Sequence, residues 1–182
     1  RLEAEAQILD GVPSVVAVGT LVQTFHDCEP AVMLAELQSA RFRLLDWVEL
    51  RRRNPLPDPT TMFRASALAQ VGGYTAAMTS MQDYELLLRL GAIGQLALVE
   101  ERLLWYRLHA GQFSRRRRKL AEWNTLWRAR RHLSQRWSGS TFSGELAHAA
   151  DLATHVAISA HYRIGSRLSV LRRTHSVTSK DT

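Results

Sequence analysis

The residues of this chain that could do chemistry gather between positions 54 and 114, around Met81-Gln82-Asp83-Tyr84. Asp83 stands where a glycine-flanked loop meets the first turn of an expected helix. From that junction a carboxylate can reach a hydroxyl proton as a general base. The same Ser80-x-x-Asp83 spacing is that of a capping box, in which the carboxylate bonds backbone N–H groups and meets the positive end of the helix dipole. Spacing alone favours the cap. His109 follows Trp105-Tyr106-Arg107-Leu108 at a strand end, where an imidazole beside Arg107 could ligate a divalent ion or bind phosphate; a surface histidine after an edge strand is the plainer account. Gly72-Gly73-Tyr74 could border an acceptor pocket walled by the tyrosine ring, or simply stop a helix and tuck an aromatic.

Two further clusters lie downstream. Arg115, Arg116, Arg117 and Arg118 with Lys119 could bind phosphates, anionic lipid headgroups or RNA, with Trp123 and Trp127 as interfacial or stacking rings. The alternative is a solvated helix start, although five cations there oppose the helix dipole. His148, Asp151 and His155 share one face of a last helix at metal-ligand spacing, but that face lies opposite the apolar one, where solvated polar residues are expected. The chain has no Walker or dinucleotide glycine loop, no paired-cysteine zinc spacing and no nucleophile elbow, which counts against those classes.

The elements that must position these groups read as an alternation of strands and helices. Residues 2–9 form the end of an amphipathic helix stopped at Asp10-Gly11 and Pro13. Residues 15–25, VVAVGTLVQTF, form a strand expected to be buried on both faces. A helix is predicted over residues 34–53, ended by Asn54-Pro55. A short strand at 60–63 follows, then a brief helix at 66–71 closed by Gly72-Gly73, where positive φ is expected. Ser80 is expected to cap a helix over 81–90 ended by Gly91 and Gly94, and 95–99 and 103–108 read as two strands. Beyond Ser114, Leu120, Trp123, Leu126, Trp127, Leu133 and Trp137 make a helical apolar stripe that Arg130 interrupts.

With 182 residues, 46% of them hydrophobic, the chain can bury a core. Its formal charge of +7 is local: residues 112–137 hold nine basic side chains against one acidic, Glu122, so the remainder is close to neutral. The single cysteine, Cys28, excludes an internal disulfide and fits a reducing compartment. No uninterrupted apolar run suits a spanning helix and no secretion signal is evident. The chain begins without methionine and already in helical pattern, so a fragment is expected, in the cytoplasm or at the inner face of the membrane.

In order and spacing, Asn54-Pro55, Met62-Phe63-Arg64, Val71-Gly72-Gly73-Tyr74, Gln82-Asp83-Tyr84-Glu85 and Tyr106-Arg107-Leu108-His109 resemble the acceptor-side half of a family 2 glycosyltransferase of the GT-A fold. The opening RLEAEAQIL and the Val-Ala-Val-Gly strand are similar to the segment that follows that family's Asp-x-Asp. The resemblance covers residues 1–114. It implies an α/β fold, the C-terminal part of a GT-A domain, with residues 115–182 as a basic helical extension. It further implies that Asp83 is the catalytic base of an inverting transfer from a nucleotide-sugar donor to a hydroxyl acceptor, in polysaccharide or glycolipid synthesis. His109 with Arg107 would help hold a divalent metal, Mg or Mn, or the diphosphate, and Gly72, Gly73, Tyr74 and Gln82 would border the acceptor. Gln82 replaces the family's usual glutamate. The nucleotide-binding βα units and the Asp-x-Asp do not occur in this chain, which predicts little activity by itself. The rival expectation is a noncatalytic module or degenerate remnant that attaches to anionic membrane or nucleic acid through residues 115–137; nucleic acid is the less expected partner.

Overall fold

A computed structural model describes residues 1–26, 41–109 and 120–137, together with 149, 150, 153, 156 and 157. The chain starts with α1 (Leu2–Gly11) and the long strand β1 (Val15–Phe25). β2 (Phe42–Leu44), α2 (Trp47–Arg52), a single 3-10 turn (Asp58–Thr60), β3 (Met62–Phe63) and α3 (Ala65–Gln70) follow. Then come α4 (Gln82–Ile93), the strand β4 (Gln95–Arg107) and α5 (Leu120–Trp137). These elements make an α/β structure around a four-stranded mixed sheet of order β2-β4-β1-β3. β1 and β4 run parallel at its centre, and β2 and β3 pair antiparallel at the edges.

The sheet lies between two apolar layers because the β-branched and leucine residues of its central strands alternate between faces. Ile8 and Leu9 of α1 meet Val15, Val18, Ala97 and Val99 on one face. On the other, Val16, Leu96 and Leu98 meet Leu86, Leu87 and Leu90 of α4, Leu50 of α2, and Leu126 and Leu133 of α5. Burying each of these leucines stabilises the fold by about 1.5–3 kcal/mol relative to exposure. The α5 helix therefore belongs to the same core as the strands through Leu126, Ala129 and Leu133, while Trp137 at its end is exposed. Among the described residues no helix is long and apolar enough to cross a membrane.

β1 has the predicted limits but is buried on both faces only over its first six residues. The remaining five residues are half-buried or exposed, although Leu21 still packs against one layer and Leu103 of β4 against the other. A larger difference concerns residues 41–53, expected to be helical throughout. Phe42–Leu44 instead pairs with β4, satisfying the backbone of what would otherwise be its free edge. The short α2 begins only after Asp46, whose carboxylate accepts the Val48 N–H at 3.1 Å as an N-cap. The expected helix over residues 34–40 lies outside the described residues.

β4 is one strand where two were expected. Thr20 pairs with Val99 and the next residue, Leu21, with Arg102, so Glu100 and Glu101 are accommodated in a bulge. The acidic pair that looks like a break in the apolar pattern is thus the extra length of one strand. Similarly, Gly91 does not end α4, which continues to Ile93 with Gly94 beyond it. A Cβ on Gly91 would lie 2.5 Å from Leu50 Cδ2 and 3.3 Å from Leu133 Cδ1, so glycine there allows α2 and α5 to pack closely.

Candidate active site

Asp83 is the second residue of α4 and faces a cleft of about 550 Å³. The cleft is walled by the end of α2 (Arg52, Arg53), the Asn54 turn, the start of α4 (Gln82, Asp83), Tyr106 of β4, and Trp123 and Arg130 of α5. Asn54 builds both the turn and the site. Its Oδ1 accepts the Leu56 N–H at 3.1 Å, an Asx turn that reverses the chain before Pro57. Its Nδ2 donates to Asp83 Oδ2 at 2.8 Å. The carboxylate is thereby held in one orientation at the cleft wall.

The predicted capping box is not formed. Ser80 donates its hydroxyl to Glu122 Oε2 at 2.6 Å instead, and Met81 occupies the cap position at φ 57, ψ 16 with no side-chain cap bond. Glu122 outcompetes the helix end because it gathers three donors at once. The Thr79 N–H at 2.9 Å and the Thr79 hydroxyl at 2.6 Å both reach its Oε1. At 3% exposure this carboxylate needs such partners. Asp83 and Glu85 still lie in the first turn, where negative charge is favourable.

Tyr84 fixes the cleft from behind. Its buried hydroxyl donates to the Leu50 carbonyl at 2.6 Å, with the Arg51 carbonyl 2.9 Å away, joining α4 to the end of α2. The Arg130 guanidinium lies over its ring at 5.3 Å from the centroid. The next residue, Glu85, and Arg89 one turn further on form a bidentate ion pair, both contacts 2.8 Å. Arg89 also donates to the carbonyls of Val71 and Gly73.

That clasp sets the Gly-Gly loop. Gly72 at φ 78 and Gly73 at φ 68 occupy the left-handed region, as expected of the helix stop after α3. Gly72, Gly73 and Tyr74 do not line the cleft themselves. Tyr74 reaches its rim by donating to Asp58 Oδ1 at 2.8 Å. Burial of the hydroxyl, that bond, and the Asp58 and Asp83 charges all push the Tyr74 pKa up. Gln82 does line the cleft, and among the described residues its Oε1 is buried without a hydrogen-bond partner.

His109 and Arg107 lie exposed at the far end of β4, where the Leu108 N–H bonds the Phe25 carbonyl at 2.8 Å. Neither lines the cleft; Tyr106 does. Among the described residues no three His, Cys, Asp or Glu side chains come together to hold a metal ion. Arg115, Arg116, Arg117 and Arg118, and the His148, Asp151 and His155 set, lie outside the described residues.

Sequence reasoning missed Asn54 as the partner of Asp83, the Arg89–Glu85 clasp, and Glu122. The one visible signal was Arg130, a charge inside an apolar stripe. No protein-family model matches this chain, and no curated protein matches its sequence.

Proposed function

We propose that the cleft is the acceptor side of an inverting glycosyltransferase, in the C-terminal part of a GT-A domain, with Asp83 as its base. The observation that carries this reading is the Asn54–Asp83 bond, which fixes a carboxylate on the wall of a cleft large enough for a sugar. Tyr106 and Trp123 support it as aromatic surfaces against which the C–H face of a sugar ring can pack. The acceptor hydroxyl would give its proton to Asp83 as its oxygen bonds the anomeric carbon. The bond from that carbon to the donor's diphosphate oxygen breaks in the same step, the diphosphate leaves with the electron pair, and configuration inverts. A divalent ion in such an enzyme stabilises the leaving diphosphate. Among the described residues no group of three His, Cys, Asp or Glu side chains fits such an ion. Donor binding is assigned to βα units with an Asp-x-Asp, neither of which this sequence contains.

Release of nucleoside diphosphate and transfer to oligosaccharide acceptors by the gene's full product test this reading. Asp83→Asn is expected to lower the transfer rate by about 10²–10⁴-fold, the usual worth of a general base. Transfer at close to the wild-type rate would remove Asp83 from the chemistry. Leu126 and Leu133 of α5 are buried in the core, and the Arg115 to Arg118 stretch on which the rival membrane-attachment reading rests lies outside the described residues.

A further inference from the structure

Arg130 is the least expected residue of the cleft. It lies on the inward side of α5, between Leu126 and Leu133, where an apolar side chain would satisfy the packing. Its head is half-buried and stacked over Tyr84, with a single long contact of 3.4 Å to the Tyr84 hydroxyl. Its Nε is buried without a hydrogen-bond partner, and no carboxylate among the described residues lies within ion-pairing distance of it. A guanidinium withdrawn from water without a counter-charge is costly unless an anion completes it. Arg52, exposed on the same cleft, adds a second cation there, whereas Arg53 is engaged by Glu49 at 2.5 Å.

The same cleft is also lined by Asp58 and Asp83. Their carboxylates suit ligand hydroxyls, which can donate to both. The geometry points to an acceptor that is an anionic sugar: a phosphate or carboxylate on Arg130 and Arg52, the ring beside Trp123, and a free hydroxyl toward Asp83. This assignment rests on the acceptor reading given above and narrows it to one chemical class. A neutral sugar would leave Arg130 uncompensated.

Binding of small probes to the full 182-residue chain tests the assignment, by calorimetry and by the indole N–H signal of Trp123. The probes are glucose 6-phosphate, methyl glucuronide, methyl glucoside and inorganic phosphate. Glucose 6-phosphate or methyl glucuronide is expected to bind at least about tenfold more tightly than methyl glucoside, from charge-assisted hydrogen bonds to Arg130. The tighter of the two identifies the oxyanion. Arg130→Met is expected to abolish that preference, and Arg130→Lys to retain part of it. Arg52→Gln, at an exposed position where folding is not at stake, is expected to weaken binding of the anionic probes. Equal affinity for neutral and anionic sugars would overturn the anionic assignment and leave the acceptor reading standing. No binding by any sugar would overturn both. Inorganic phosphate binding as tightly as glucose 6-phosphate would reduce the site to a simple anion hole and overturn the sugar assignment.

Discussion

Replacing Arg89 by methionine keeps most of its aliphatic volume and removes the charge that organises the loop before α4. Glu85 would lose both bidentate contacts and keep the Thr75 hydroxyl at 3.0 Å, with its side chain only 5% exposed. The Val71 and Gly73 carbonyls would lose their Arg89 donors at the same time. Removing one partner of a buried pair costs about 3–5 kcal/mol. The 22% exposure of the Arg89 side chain lets water reach the remaining groups, which places the expected loss at the low end, about 3 kcal/mol. In urea, with m of about 2 kcal/mol/M, the unfolding midpoint would fall by about 1.5 M. Amide exchange at Gly72 and Gly73 should accelerate, since their turn is held by these same bonds. Glu85→Gln in the same chain should recover about 2 kcal/mol relative to additivity, because the orphaned charge disappears. A midpoint shift below about 0.5 M, or strictly additive single and double variants, would refute the view that the pair fixes this loop.

Gly91→Ala brings two opposing effects. Alanine favours the helix by about 1 kcal/mol, while crowding Leu50 Cδ2 costs about 1–3 kcal/mol. A net loss of up to about 2 kcal/mol is expected in the same urea assay, and a clear gain would show that Leu50 can swing aside. Glu122→Ala should cost about 2–4 kcal/mol by stranding the Thr79 N–H and two hydroxyls. Glu122→Gln, which still accepts at one oxygen, should cost about half as much, and identical losses would discount the hydrogen bonds. The Arg43 hydrogen bond holds the Glu49 pKa below its usual 4.5, followed by smaller contributions from Arg53. A lowered folded-state value means that this stabilisation is present above pH 4.5 and fades as pH falls through the folded value. Urea midpoints of Glu49→Gln should therefore trail wild type at pH 7 and converge with it in acid; a constant gap at every pH would contradict the linkage.

Local chemistry was legible where a residue type has one dominant use. The Val15–Phe25 run, the Asn54-Pro55 helix stop and the positive φ at Gly72 and Gly73 follow from β-branching, ring closure and the lack of a Cβ. Residues 41–46 misled because Phe42 and Leu45 are spaced as on a helix, while the deciding factor was the unpaired edge of β4, more than fifty residues away. Ser80 misled for a related reason: a cap and a buried Glu122 compete for the same hydroxyl, and only the fold brings Glu122 within reach. The position of Asp83 at a helix start was readable from the sequence. Its Asn54 partner, 29 residues earlier, was not, because local spacing does not encode which turn passes beside which helix.

Met81 is the single non-glycine residue at positive φ among the described ones, immediately before the helix that bears Asp83. A left-handed methionine costs about 1 kcal/mol, and glycine would relieve it. Glycine would also widen the unfolded ensemble by a similar amount and give up the side chain's packing against the core. The conformation is therefore maintained from outside the backbone, by a partly buried side chain packed against the core cluster. The start of the helix that carries Asp83 is consequently tied to core packing as well as to the Asn54 bond, so a repacked core can detune the site from a distance.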